Sequence, residues 1–201
     1  EKKPLYSLSD SEYADQLDSL VIKSVKSRLL SDVPVASFLS GGIDSSYITA
    51  IAQSVSATPI STFTIGFSDS RYDESSYARE IASYLGTCHN EHIFDTSSLL
   101  DLLPTVSHVW DEPFSDSSQL PTYLVSRLAS SSHKVCLSGD AGDELFLGYN
   151  RYNVAFSTYK AISALPLPLR LFVSHFVKCI PSEFIDSFCS LLPPLHKAKA
   201  I

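Results

Sequence analysis

The chain has 201 residues, 44% of them apolar and 18% charged, and a formal net charge of −7. That length holds one ordinary domain, or one domain with part of another, and the apolar share excludes a disordered chain. The acidic balance argues against a nucleic-acid backbone as the main partner, because a basic stripe would be needed to hold one.

Taken in order, Tyr13 to Leu30 carries Leu17, Leu20, Val21, Val25, Leu29 and Leu30 at helical spacing, and Pro34 stops the run. Val35 to Leu39 reads as a short buried strand, and Ser46 to Val55 as a helix. Ile60 to Phe67, rich in β-branched and aromatic residues, reads as a second strand. Glu74 to Leu85 is predicted helical, with Gly86 in the position where a left-handed cap needs glycine. His92 to Phe94 marks a third strand, Leu99 to Trp110 and Thr122 to Ser130 are helices, and Lys134 to Leu137 is a fourth strand. A further helix is expected from Gly142 to Tyr152, followed by a Leu-, Phe- and Pro-rich helical extension. Strands alternating with helices imply an α/β fold with a mostly parallel sheet and helices on both faces.

Several classes fall away. No signal-peptide pattern precedes the first helix, and the apolar stretch Ile162 to Ile180 is broken by Pro166, Pro168, Arg170, His175 and Lys178, so no membrane span is expected. Cys88, Cys136, Cys179 and Cys189 show no CxxC spacing and read as reduced, half-buried thiols of a cytoplasmic protein. Cys88, His89 and His92 lie close together, but in a strand-like run they make a poor ligand set. The chain opens on Glu1 and holds no methionine, so a fragment or processed chain is expected.

The chemistry concentrates in two loops. Ser40-Gly41-Gly42-Ile43-Asp44-Ser45-Ser46 falls between a strand's carboxyl end and a helix's amino end, where ligands bind in open parallel sheets. The first helical turn leaves N–H groups unpaired and about half a positive charge at the terminus. Glycines let an anion approach the backbone, and Ser40, Ser45 and Ser46 could add donors, which together make an anion cradle. The lysine of a GxxxxGK[ST] loop is missing, and the pattern is not GxGxxG. A carboxylate in a phosphate site is repulsive without a cation, so Asp44 suggests Mg²⁺. The competing reading is that Asp44 or Ser45 caps the helix. Ser138-Gly139-Asp140-Ala141-Gly142-Asp143-Glu144 also follows a strand and opens a helix. In a parallel sheet both loops leave the same edge, so Asp44 and Asp143 can converge on a metal-bound phosphate.

The two loops resemble a known family. SGGIDSS resembles the pyrophosphate loop of the N-type ATP pyrophosphatases, and LSGDAGDELFLGYNRY (Leu137 to Tyr152) resembles the second signature of the synthetase domain of glutamine-hydrolysing asparagine synthetases. TFTIGF (Thr62 to Phe67), YDESSYAREIASYLGTCHNE (Tyr72 to Glu91) and DEPFSDSSQLPTYLVSRLA (Asp111 to Ala129) agree with it. The match is dense from about Leu5 to Tyr152 and thinner beyond.

The resemblance implies a five-stranded parallel sheet of the adenine nucleotide alpha-hydrolase-like kind. It divides the chain into an ATP-pyrophosphatase domain over 1–152 and a truncated helical extension over 153–201, with the N-terminal glutaminase domain absent. It further implies that ATP is cleaved between its α and β phosphates to activate a carboxylate, and that ammonia then displaces AMP. Pyrophosphate would sit on Ser40, Gly41, Gly42, Ser45 and Ser46, and Mg²⁺ between Asp44 and Asp143. Ile65 would meet the adenine with Phe38 nearby, and Ser138 and Gly139 would lie against the nucleotide.

Asp140 stands where many members carry glutamate and would steer or deprotonate the ammonia. Aspartate there resembles the branch associated with cell-surface sugar and secondary-metabolite clusters, which leaves the acceptor carboxylate open. The implied partners are a small carboxylate and ammonia from a glutaminase domain, with room for a homodimer of the full-length form. The family's further lysine is matched by none of Lys160, Lys178, Lys197 and Lys199, so the chain alone is expected to bind nucleotide but not form amide. The other readings are adenylation of a different acceptor and a non-catalytic nucleotide-binding module.

Some residues have plainer readings. Asp111, Glu112 and Asp116 could line an acceptor pocket or belong to a solvated loop. Arg71 is expected to pair with Asp69 or Asp73, and Trp110 to sit in core or interface. His108 and His133 receive no role.

Overall fold

The computed structural model describes residues 8–112 and 116–179. They form two compact units that divide between Leu145 and Phe146.

The first unit opens with α1 (Asp10–Leu29), started by a capping box in which Glu12 N–H donates to Ser9 Oγ and the Glu12 carboxylate accepts from Ser9 N–H at 2.7 Å. Its packed stripe is Val21, Ile22, Val25 and Leu29, which meet Ile48, Ile51 and Ala52. Leu17, Leu20 and Leu30, expected on that stripe, are exposed. The buried face is narrower because only the carboxyl-terminal half of α1 lies on α2 (Ile43–Val55).

Four strands follow: β1 (Val35–Phe38), β2 (Ser61–Phe67), β3 (Cys88–Phe94) and β4 (Val135–Leu137). Every pairing is parallel, in the order β3-β2-β1-β4. Helix α3 (Ser75–Leu85) links β2 to β3 and ends at Gly86, whose φ of 70° is the left-handed cap expected from the sequence. Helices α4 (Thr96–Val109) and α5 (Gln119–Ser130) carry the chain from β3 across to β4.

Side chains alternate between the two faces of the sheet. Ala36, Phe38 and Phe63 pack on Val125, Leu128 and Ala129 of α5. Ser37 faces the other way and bonds Thr49 of α2, hydroxyl to hydroxyl at 2.9 Å in the core. On α3, Ala78 and Ala82 enclose Leu39. Helices therefore cover both faces.

The described residues hold four strands, not five. Two helices follow β3 in succession, with no strand-forming run between them, so the crossover adds only β4. After β4 the described residues turn helical, up to Cys179. Residues 180–201, including Pro181, Cys189, Pro193, Pro194, Lys197 and Lys199, lie outside the described residues, as does that part of the expected helical extension.

Helix α6 (Gly142–Phe146) is shorter than expected. Leu147 adopts φ 59° in the left-handed region, which ends the helix, and α7 (Asn150–Ser163) starts afresh after Tyr149. In the second unit, α7 leads into α8 (Leu167–Cys179). Arg170 fixes the corner between them, donating through Nε to Leu165 O at 2.7 Å and through Nη2 to Ser163 O at 2.8 Å. None of the described helices is long and apolar enough to cross a membrane.

Candidate functional site

The strand order places a switch point between β1 and β4. From β1 the chain winds outward through β2 to β3, then returns to add β4 on the opposite side. In open parallel sheets the crevice at such a reversal, outside the strands' carboxyl ends, is where ligands bind. The loops that leave there are residues 39–42 and 138–141, the two singled out from the sequence.

The first loop is anchored before it turns. Leu39 N–H donates to Phe63 O at 3.0 Å, and the buried Thr64 hydroxyl donates to Leu39 O. Gly41 then adopts φ 87°, open to glycine at little cost. Space excludes other residues too: a Cβ there would lie 2.8 Å from Tyr77 Cβ and 3.0 Å from Ala78 N. The loop rests directly on the first turn of α3.

Gly42, not Asp44 or Ser45, is the N-cap of α2, and no side chain caps the helix. Both residues lie inside the first turn, so the capping alternative fails in its stated form. The N–H groups of Ile43, Asp44 and Ser45 find no acceptor among the described residues and point out of an uncapped helix start.

The three serine hydroxyls, read from the sequence as groups that could add donors, make hydrogen bonds within the loop. Ser45 is buried, and its Oγ accepts from Ser40 N–H at 3.2 Å, donates to Gly42 O at 3.2 Å and meets Ser40 Oγ at 2.9 Å. Ser46 Oγ donates to Gly42 O at 2.6 Å. Ser40 Oγ also accepts from Gly42 N–H at 3.2 Å. These bonds hold the loop's shape and leave backbone N–H groups as its free donors.

The second loop touches the first. A Cβ at Gly139 would lie 2.7 Å from Ser45 N and 2.9 Å from Asp44 C. A Cβ at Gly142 would lie 2.5 Å from Asp44 Oδ2. Both glycines are thus pressed onto the first turn of α2, and the Asp44 carboxylate lies beside the residue preceding Asp143. Ser138 Oγ accepts from Asp140 N–H at 3.1 Å, and Ala141, at φ 72°, sharpens the turn into α6. Asp143 is half-buried, and Asp140 is exposed.

Phe38 ends β1, half-buried on Phe63. Ile65 lies two residues beyond Phe63, so both share one face of β2. Phe38 and Ile65 therefore stand on the same side of the sheet near the carboxyl edge.

Asp73 was not expected to matter beyond a pairing with Arg71. Its Oδ1 accepts from Phe67 N–H at 3.3 Å and Ser75 N–H at 3.2 Å. Burial raises its pKa, but the bonds from Ser75 and Phe67 and the charge of Arg79 outweigh that and hold it below the ordinary carboxylate range. An aspartate two residues before a helix-starting serine is the signal that could have revealed it.

Arg71 pairs with Asp69 at 2.6 Å, as expected, and its hydrogen bonds lower the Asp69 pKa to about 2. Asp116 accepts from Ser118 N–H at 2.8 Å ahead of α5, while Asp111 and Glu112 are exposed. Trp110 is half-buried. Cys88 is exposed rather than half-buried, because it starts an edge strand; Cys136 is half-buried, and both are free thiols. Among the described residues no group of three or more His, Cys, Asp or Glu is arranged to hold a metal.

These features define an open parallel α/β domain with two glycine loops packed together at its switch point. The family model described as "Asparagine synthase" matches residues 16–187, and the chain belongs to that family. It is 38% identical over 174 residues to "Putative asparagine synthetase [glutamine-hydrolyzing] 2" of Methanocaldococcus jannaschii, covering 84% of this chain and 32% of that protein. It is 34% identical over 179 residues to "Asparagine synthetase [glutamine-hydrolyzing] 1" of Bacillus subtilis, covering 89% of this chain and 28% of that one. The chain thus spans about a third or less of the length of these relatives. Among solved structures, a glutamine-dependent NAD+ synthetase from Acinetobacter baumannii overlaps 73% of this chain and 29% of its own at 20% identity and a TM-score of 0.49, too loose a likeness to argue from.

Proposed function

We propose that this chain is the synthetase part of a glutamine-hydrolysing amidotransferase, using ATP to activate a small carboxylate such as aspartate for amide formation. One observation carries the reading: Gly139 and Gly142 press the second loop onto Asp44 and Ser45, so two carboxylate-bearing loops meet an uncapped helix start at the switch point.

The substrate carboxylate oxygen attacks the α-phosphorus of ATP, and the bond to the β-phosphate oxygen breaks, releasing pyrophosphate. Ammonia then attacks the acyl carbon, AMP leaves, and the nitrogen gives up a proton, which Asp140 is positioned in sequence to take. The backbone N–H groups of Ile43, Asp44 and Ser45 stabilise charge growing on the departing pyrophosphate. Ser40, Ser45 and Ser46 hold those donors in place, while Ser138 and Gly139 flank the nucleotide. Adenine lies on the side of Phe38 and Ile65.

The residues fit Mg²⁺ only as a shared ligand set. Asp44 and Asp143 supply two hard oxygen donors, and Mg²⁺ accepts one or two carboxylates when phosphate oxygens complete its shell. Bound there, it would neutralise charge on the polyphosphate. The carboxylate in Asp140's reach and ammonia from a glutaminase domain of the longer protein complete the proposed reaction.

Calorimetric titration of ATP, with and without Mg²⁺, tests this reading. Binding should require Mg²⁺, and Asp44→Asn or Asp143→Asn should remove most of that dependence. ATP binding that is indifferent to Mg²⁺ in all three proteins would overturn the metal assignment, and no ATP binding would overturn the function.

A further inference from the structure

We infer that Asp73 is a positioning residue for the anion loop: its carboxylate ties the end of β2 to the start of α3, the surface on which Gly41 rests. The inference deepens the proposed function and rests on it.

Three contacts run in series. Asp73 Oδ1 accepts from Phe67 N–H, the last residue of β2, and from Ser75 N–H, the first residue of α3. The carboxylate fits closely, since a Cβ at Gly66 would lie 2.6 Å from Asp73 Oδ1 and 2.9 Å from Ser75 Cβ. Ser75 is buried, so this joint is dry on the helix side. One turn further on, Tyr77 and Ala78 leave no room for a Cβ at Gly41, which would lie 2.8 Å from Tyr77 Cβ and 3.0 Å from Ala78 N. Ala78 and Ala82 also enclose Leu39, which leads into the loop.

A rotation or slide of α3 would therefore move the support of Ser40–Gly42 and misalign the N–H groups of the α2 start. Charge is not what the geometry needs. Two N–H donors converge on one oxygen, and an amide oxygen in its place can accept both. The bonds serve to fix the distance between β2 and α3.

Binding of inorganic pyrophosphate with Mg²⁺ to the whole 201-residue chain, followed by calorimetry, tests the inference. Losing two backbone-anchoring bonds should weaken binding by about tenfold in Asp73→Ala. Asp73→Asn should stay within about threefold of the unaltered chain, because its amide oxygen keeps both bonds. Gly41→Ala already displaces the loop from α3, so adding Asp73→Ala to it should cost little more, a coupling that general destabilisation would not produce. If Asp73→Ala does not fold, Asp73→Ser keeps a local turn to Ser75 and loses the tie to Phe67, and the tenfold loss is again expected. Wild-type affinity in a folded Asp73→Ala or Asp73→Ser chain, or fully additive losses in the double variant, would overturn the inference and leave the proposed function standing. Failure of the unaltered chain to bind pyrophosphate would overturn both.

Discussion

His89 lies on β3 with one ring nitrogen bonded and one not. Its Nδ1 meets Thr62 Oγ1 at 3.0 Å, while the buried Nε2 has no hydrogen-bond partner and lies 3.6 Å from Glu91 Oε2. Burial pushes its pKa below the ordinary 6.5, and although Glu91 opposes this, the net direction is down. The unfolded chain then takes up the proton first as pH falls. The stabilisation from neutral His89 is therefore complete above about pH 6.5 and is lost as pH drops from there through the folded-state pKa. His89→Gln should flatten the decline of melting temperature as pH falls below about 6.5. Identical slopes in the two proteins would show that His89 does not govern it. Arg79, bidentate to Glu91 at 2.6 and 3.0 Å but largely exposed, adds little to this balance.

The first turn of α2 is met by two glycines of the second loop, and they differ in what opposes them. Gly139 faces backbone atoms of Asp44 and Ser45, which cannot move without unwinding the helix start. The nearest atoms opposing Gly142 are those of the Asp44 carboxylate, which can swing away. Gly139→Ala should thus lower stability by about 1–3 kcal/mol, as overpacking does. Gly142→Ala should leave the melting temperature nearly unchanged yet weaken Mg²⁺-dependent ATP binding, since it displaces Asp44. Chemical denaturation paired with ATP titration separates the two, and equal effects of both variants on stability would contradict the reading.

Such contacts explain what could be read beforehand. The loops were legible because glycine and aspartate patterns between a strand and a helix have few uses, and β2 was legible because ISTFTIGF is rich in β-branched and aromatic residues. The start of β3 at Cys88 was only half legible, as a strand-like run outside the strand placed at His92–Phe94, because an edge strand is held by its backbone ladder to β2 and tolerates polar side chains. Nor could local pattern disclose that Ser45 is spent inside its own loop, or that Tyr77, 36 positions beyond Gly41, is its floor. Those facts depend on how α2 and α3 pack.

Every residue assigned to the nucleotide, from Phe38 to Asp143, belongs to the first unit. So do the three buried apolar clusters found among the described residues, which centre on Val25 with Ile51, Ala36 with Phe63, and Leu39 with Ala78. In the second unit, α7 contains no buried residue, and Val154, Phe156, Tyr159, Leu167, Leu171 and Phe172 are exposed. Cooperative unfolding follows the burial of apolar surface, so the core that melts is the sheet and the helices on it. A chain ending at Leu145 should therefore unfold in one transition with a melting temperature close to that of the 201-residue chain, and should bind pyrophosphate within about threefold of it, a difference below about 0.7 kcal/mol. Scanning calorimetry and pyrophosphate titration of the shortened chain measure both. A broad, non-cooperative melt would mean that the first unit borrows its stability from residues after 145. A cooperative melt without pyrophosphate binding would mean that the anion site needs those residues, and would move part of the proposed machinery out of the two loops.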